Sequence, residues 1–169
     1  MLQSIGSEYG DMAIQTDQLD NQLLELLQRE GGLSQRELAT RVGLSQNACW
    51  RRLKRLEEAG VLKGRRANID PAALGLGLTV FVMIRTRHHA SDWARTFRTH
   101  VEALPEVVDF HRIGGHWDYM IKAVCADMAG YDRFYQALIQ GFDIEAVTGH
   151  FAMEAILENR PLAIRSVLR

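Results

Sequence analysis

Between Gln46 and Arg55 the chain carries a set of side chains suited to reading a nucleic acid. Placed at 100° per residue, Asn47, Trp50, Arg51 and Lys54 fall on one side of a helix, Arg55 lies on the flank of that side, and Gln46 sits in the first turn. Cys49, Leu53 and Leu56 fall on the opposite side and would face a core. Arg and Lys pair with phosphates or guanine edges, Asn and Gln match the donor and acceptor of adenine, and an aromatic ring meets a thymine methyl or a sugar. A cationic helix face is more often simply solvated. The weight of the reading therefore rests on what surrounds it.

The surroundings supply a helix-turn-helix. Ser34, with Glu37 three residues on, makes a capping box in which the hydroxyl satisfies a free amide and the carboxylate reaches back to the cap. Leu38, Ala39 and Val42 give that helix an apolar face, and Gly43 permits a sharp bend just past its last turn. Ser45 then caps a second helix, predicted to run to about Ala59 with Gly60 as its stop. Two helices joined by a turn of roughly three residues place the second in the major groove of DNA. Upstream, a helix from Thr16 or Asp17 puts Leu19, Leu23, Leu26 and Leu27 on one face and ends at Gly31 and Gly32. Downstream, Val61 to Ile69 is short and β-competent and projects Lys63, Arg65 and Arg66, the pattern of a wing whose cations reach flanking phosphates.

Charge is partitioned along the chain. From Ser34 to Arg66 there are nine Lys or Arg against three acids, a net +6, which leaves −7 on the rest of a chain whose net charge is −1. A basic module is joined to an acidic one.

The second half alternates strand and helix patterns. Asp70 and Pro71 open a compact turn closed by Gly75 and Gly77, which reads as a hinge. Strands are predicted at Leu78 to Thr86, Glu106 to Ile113, Tyr119 to Cys125 and Val147 to Leu157, with helices at Ser91 to Leu104 and from Asp127 or Met128 to Gln140. The order βαββαβ is the ferredoxin-like (split-βαβ) arrangement, with both helices on one face of a four-stranded antiparallel sheet. Apolar residues at consecutive positions, Val80 through Ile84 and Met120 with Ile121, make both sheet faces want cover, and a second copy of the chain is the simplest cover. The fold class is α+β. The expected boundaries are a disordered tail at 1–15, a winged helix-turn-helix at 16–66, a hinge at 67–77, a ferredoxin-like domain for effector binding and oligomerisation at 78–161, and a tail at 162–169.

With 169 residues, 47% of them apolar, and no apolar run long enough to span a membrane, the expectation is a cytoplasmic globular protein. Cys49 and Cys125 lie at apolar-face positions without metal or redox spacing, so reduced core thiols are expected and no cofactor. Six histidines (His88, His89, His100, His111, His116 and His150) invite a metal or catalytic reading, but His88 and His89 at a strand end point to opposite faces, and surface roles are the plainer account.

A winged helix-turn-helix hinged to a βαββαβ domain resembles the leucine-responsive regulatory protein / asparagine synthase regulator (Lrp/AsnC) family of bacterial and archaeal transcription factors. The stretches that carry the likeness run from Leu19 to Gly64, from Asp70 to Val82, and through GGHWDY at 114–119. The resemblance implies homodimers that often assemble into octamers (tetramers of dimers), bending or wrapping of double-stranded DNA on the nucleoid, and control by a small amino acid bound to the C-terminal domain. The stretch GLGLTVFVMIRTRHHASDW is similar to a subgroup associated with sulfur amino acid metabolism, which makes a sulfur amino acid the effector to test first. The turn from Gly114 through Gly115, His116, Trp117 and Asp118 to Tyr119, with His150 on the last strand, is the expected effector site. Glycine amides can receive a carboxylate, Asp118 can receive an ammonium, and His116 stands where the family commonly has an acid. Near the last strand the usual proline and glycine are missing. Two other classes were weighed, an effector-independent DNA-organising protein and an enzyme like the siroheme decarboxylases, which resemble the same two-domain architecture.

Overall fold

A computed structural model of the chain describes residues 14–164. The tail expected at 1–15 falls outside them apart from Ile14 and Gln15, as does most of the tail expected at 162–169. The described chain separates into two units, 14–68 together with 157–164, and 69–156.

The first unit begins with three helices, α1 (Gln18–Arg29), α2 (Gln35–Arg41) and α3 (Gln46–Glu58). Each start is set by a side-chain cap. Asp17 and Asp20 form a reciprocal capping box on α1, with the Asp20 amide 2.9 Å from Oδ1 of Asp17 and the Asp17 amide 3.1 Å from Oδ2 of Asp20. Ser34 and Glu37 do the same on α2, and on α3 the Ala48 amide donates to Oγ of Ser45 at 3.2 Å. Caps of this kind contribute about 1 kcal/mol each. Between α2 and α3 the chain reverses at Gly43, whose φ of +68° a side chain would resist.

Leu23 and Leu27 of α1, Leu38, Ala39 and Val42 of α2 and its cap, and Cys49 and Leu53 of α3 make one core. The inward stripe of α1 also takes Leu24, Asp20 and Asn21, whereas Leu19 and Leu26 are only half-buried. Residues 61–69 form no strand. A lone β-competent run has no ladder to join, and Gly64 at φ +102° interrupts it. Residues 157–164 pack with the helices of this unit, and the Leu162 amide donates to Oε1 of Gln28 at 2.6 Å.

The second unit is βαββαβ: β1 (Leu78–Arg85), α4 (Ser91–Glu102), β2 (Val107–Arg112), β3 (Tyr119–Cys125), α5 (Met128–Ile139) and β4 (Ala146–Phe151). The sheet order is β2-β3-β1-β4 with every pair antiparallel. Alternation is strict on the central strands. Val80, Val82, Ile84, Tyr119, Ile121, Ala123 and Cys125 are buried with Phe97 and Val101 of α4 and Phe134 and Leu138 of α5. Phe81, Met83, Arg85, Met120, Lys122 and Val124 take the other face and are half-buried. The last strand stops at Phe151 rather than Leu157, because Phe151 pairs with Val80, the Ala152 amide bonds the Thr79 carbonyl, and β1 begins only one residue earlier.

These faces separate two substitutions that look alike in sequence. Val82→Asp places a carboxylate among Phe97, Ile121 and their neighbours and is expected to cost on the order of 4 kcal/mol or more, read as loss of a cooperative denaturation transition. Met120→Asp, on the face that no helix covers, is expected to keep its far-UV circular dichroism and a folding transition. Equal damage from the two would show that the second face is sealed within a single chain.

Candidate functional site

The recognition-type helix α3 is seated by three residues on one stripe: Cys49 and Leu56 are fully buried and Leu53 is nearly so. Burial pushes the Cys49 thiol up, and the same holds for Cys125 in the sheet core, so neither is a ready nucleophile. The stripe fixes what faces outward: Gln46, Asn47, Trp50, Arg51 and Lys54 are all exposed. Trp50 keeps 50% of its surface in solvent although indole is costly to expose, and Lys54 Nζ stands 5.0 Å from its ring centroid. Lys54 also approaches Glu58 at 3.7 Å, an exposed pair of little strength.

Arg55 departs from its expected role as a DNA contact. Its guanidinium is ion-paired with Asp20 of α1, whose side chain has no exposed surface. Arg52, which the sequence reading left out, joins the same cluster, with Nη1 2.8 Å from Oδ1 of Asp20 and 2.6 Å from Oδ2 of Asp17. The Asp20 backbone amide, and then Arg52, hold the Asp17 carboxyl below the usual carboxylate range. A buried carboxylate attracts the nearest cations, and that interaction between α1 and α3 has no local sequence signal. Arg41 pairs with Glu30 in the same manner. Over residues 16–66 there are ten Lys or Arg and seven acids, a net +3, so half of the +6 counted for 34–66 is offset by the acids upstream.

Lys63, Arg65 and Arg66 are exposed beyond α3. Arg65 donates to the Leu33 carbonyl at 2.8 Å, which ties this segment to the start of α2. Among the described residues Arg51, Lys63 and Arg66 pair with no acid. On α3 and the segment after it, the cations not held by Asp17 or Asp20 are therefore Arg51, Lys54, Lys63, Arg65 and Arg66.

In the second unit the turn between β2 and β3 presents Gly114, Gly115 and His116 to solvent, with Gly115 at φ +123°. Asp118 is the knot of this turn. Its amide donates to the Ile84 carbonyl at 2.9 Å, its carbonyl accepts from Ile113 at 2.9 Å, and its Oδ2 accepts the Thr86 amide at 2.8 Å. Tyr119, expected in the site, is instead a core residue whose ring packs 5.4 Å from Phe97 and 5.5 Å from Phe110. Strand alternation decides this: Tyr119 has the parity of Ile121 and Ala123. His150 is opposite Phe81, whereas the turn lies beyond Ile84, so about 10 Å of strand separates them and one chain does not bring them together.

Arg85 is marked in the sequence only as a cation that ends an apolar strand. Its Nη1 stands 3.0 Å from Nε2 of His116. Its guanidinium lies 5.9 Å from the Trp117 ring and 3.4 Å from Glu145, which Arg87 also approaches at 3.5 Å. Nε of Arg85 is buried without a partner. A guanidinium, an imidazole, an indole and the Glu145 carboxylate thus meet at one end of β1. Among the described residues no three His, Cys, Asp or Glu side chains converge as a metal site, and no helix is long and apolar enough to cross a membrane.

Two family models match in tandem: a winged helix-turn-helix DNA-binding model over residues 16–63 and the Lrp/AsnC ligand binding domain over residues 79–162. The DNA-binding transcriptional activator DecR of Escherichia coli (strain K12) is 46% identical over 149 residues, 88% of this chain and 98% of the relative. An AsnC family transcriptional regulator from Agrobacterium tumefaciens superposes with a TM-score of 0.84 at 40% identity, covering 90% of this chain and all of that one. A transcriptional regulator from Neisseria meningitidis, solved as a complex with L-Met, superposes with a TM-score of 0.83 at 31% identity, covering 91% and 100%. These relatives are regulators, and neither the siroheme decarboxylase likeness nor a purely DNA-organising role draws support from them. Through both of its units, the chain belongs to the Lrp/AsnC family of transcriptional regulators.

Proposed function

We propose that this chain regulates transcription by binding specific duplex DNA through α3 and by taking a small amino acid, a sulfur amino acid first among candidates, at the Arg85 end of its sheet unit. The observation that carries the reading is the outer face of α3. Gln46, Asn47, Trp50, Arg51 and Lys54 stay exposed, have no part in the core, and offer base-edge and phosphate chemistry together. Lys63, Arg65 and Arg66 supply flanking phosphate contacts. Activity on the nucleoid, in the cytoplasm, follows from that role.

Assembly follows from the sheet. Met83 stands opposite Met120, and Phe81 and Val124 share their face with Lys122 between them, so a mainly apolar surface lies on the two central strands where no helix does. A second copy covers it in this reading, and four such dimers form the octamer that the family resemblance implies. A symmetric dimer places two α3 helices on half-sites one turn of DNA apart or a multiple of it, about 34–36 Å per turn.

The effector's α-carboxylate meets Arg85 and the amides of Gly114 and Gly115, its ammonium meets Asp118, and its side chain lies against Trp117 and His116. Tyr119 supports this site from the core. His150 can contribute only to a pocket completed by another copy. The relative solved with L-Met supports an amino acid as the ligand class.

Two measurements test this. On a selected operator, Arg51→Ala is expected to cost about 1–3 kcal/mol if it reads a guanine, or to reduce the salt slope if it holds a phosphate; undiminished binding by Arg51→Ala/Lys54→Ala would remove α3 from the interface. By calorimetry with L-methionine and a panel of other amino acids, Asp118→Asn keeps an acceptor for the Thr86 amide but loses the charge, and should weaken binding tenfold or more, about 1.4 kcal/mol. Indifference of the unaltered chain to every amino acid would leave a regulator without an effector.

A further inference from the structure

Four cations on α3 occur as two adjacent pairs, Arg51 with Arg52 and Lys54 with Arg55. At 100° per residue Arg51 and Lys54 lie about 60° apart, and Arg55 lies only about 40° from Arg51 on the other side. Geometry alone would leave Arg55 within reach of the DNA that Arg51 meets. The structure turns it away. Asp20 uses both carboxylate oxygens on α3, Oδ1 on Arg52 and Oδ2 on Arg55, and Asp17 adds a second acceptor for Arg52. Arg55 is still 48% exposed along its side chain, so it is the pairing and not burial of the stem that removes its charge from the surface.

We infer that Asp20, backed by Asp17, is a specificity-determining residue: it withholds Arg52 and Arg55 from phosphates, so that binding depends on the base-reaching face of α3. Contacts to phosphate supply nearly all of the sequence-independent affinity and add about 0.9 to the salt slope for each phosphate neutralised. Two free cations beside Arg51 and Lys54 would strengthen binding to every sequence and dilute the contribution of Gln46, Asn47 and Arg51 to discrimination. The inference rests on α3 being the DNA-reading helix.

The test uses the full chain on a duplex of unrelated sequence, with affinity followed by fluorescence anisotropy over a range of salt. Asp20→Asn keeps an acceptor for the Asp17 amide while removing the charge that holds the two arginines. The expected result is a plot of log affinity against log salt steeper than wild type by about 0.9–1.8, together with a smaller ratio of operator to unrelated affinity. Adding Arg55→Gln to that variant should take back about 0.9 of the increase. Weaker binding with an unchanged slope would mean that the cluster only docks α3 on α1, and the inference would fall. Should Asp20→Asn lose its circular dichroism signature, Arg55→Gln alone decides: a slope equal to wild type supports withholding, and one shallower by about 0.9 shows that Arg55 already holds a phosphate and overturns it. Absence of DNA binding by the unaltered chain would overturn the role of α3 as well, and is distinguishable from these outcomes.

Discussion

A carboxylate with no exposed surface is the constraint around which the first unit is arranged. Removing a charge from water costs several kcal/mol even after relaxation, so Asp20 is tolerable only with its oxygens bonded. Arg52, Arg55 and the Asp17 amide do this together. The apolar contacts of Leu23 and Leu27 with Cys49 and Leu53 are non-directional and would survive a modest rotation of α3. The hydrogen bonds would not, because turning the helix strands the carboxylate. The buried stripe of α3 chooses Asn47, Trp50, Arg51 and Lys54 as the outward residues, and the polar contact with Asp20 adds a directional lock to that choice.

In the second unit the organising element is β1, which with β3 forms the centre of the sheet. Its alternate residues serve two tasks. Val80, Val82 and Ile84 seal the helix-covered core, while Phe81 and Met83 lie half-buried on the face that no helix covers. Its C-terminal end then delivers Arg85 beside the turn at 114–118 and offers the Ile84 carbonyl and Thr86 amide that fix Asp118. One strand thus carries the core, the open face and the edge of the proposed effector site.

What was legible in the sequence was what depends on near neighbours. Ser34 with Glu37, Ser45 and Gly43 announce their helices within four residues, whereas the apolar run of β3 marked a strand without marking its core face. The βαββαβ order followed from such local signals. What was not legible depends on distant partners. Helical spacing shows the direction of Arg55 but not its ion pair with the Asp20 carboxylate 35 residues earlier. Tyr119 was assigned to the turn because the motif ends there, although its parity belongs to the core. The length of β4 was set by where β1 begins, and the wing segment lacked a partner; neither fact is written in the segments themselves. Arg85 was missed because its meaning lies in His116, Trp117 and Glu145, which converge only in the fold.

Asp118 illustrates how a motif joins structure to recognition. Its main chain closes the β2–β3 turn, and one carboxylate oxygen holds the Thr86 amide, so in the free protein the side chain is already oriented. A carboxylate has room for about four hydrogen bonds, and one at Oδ2 leaves the other oxygen available. An ammonium placed there meets a preorganised anion and needs no rotamer to be frozen, which reduces the cost of binding. In the proposed site the ligand carboxylate competes with His116 for Arg85, because a guanidinium bonded to a carboxylate has a stronger partner than an imidazole.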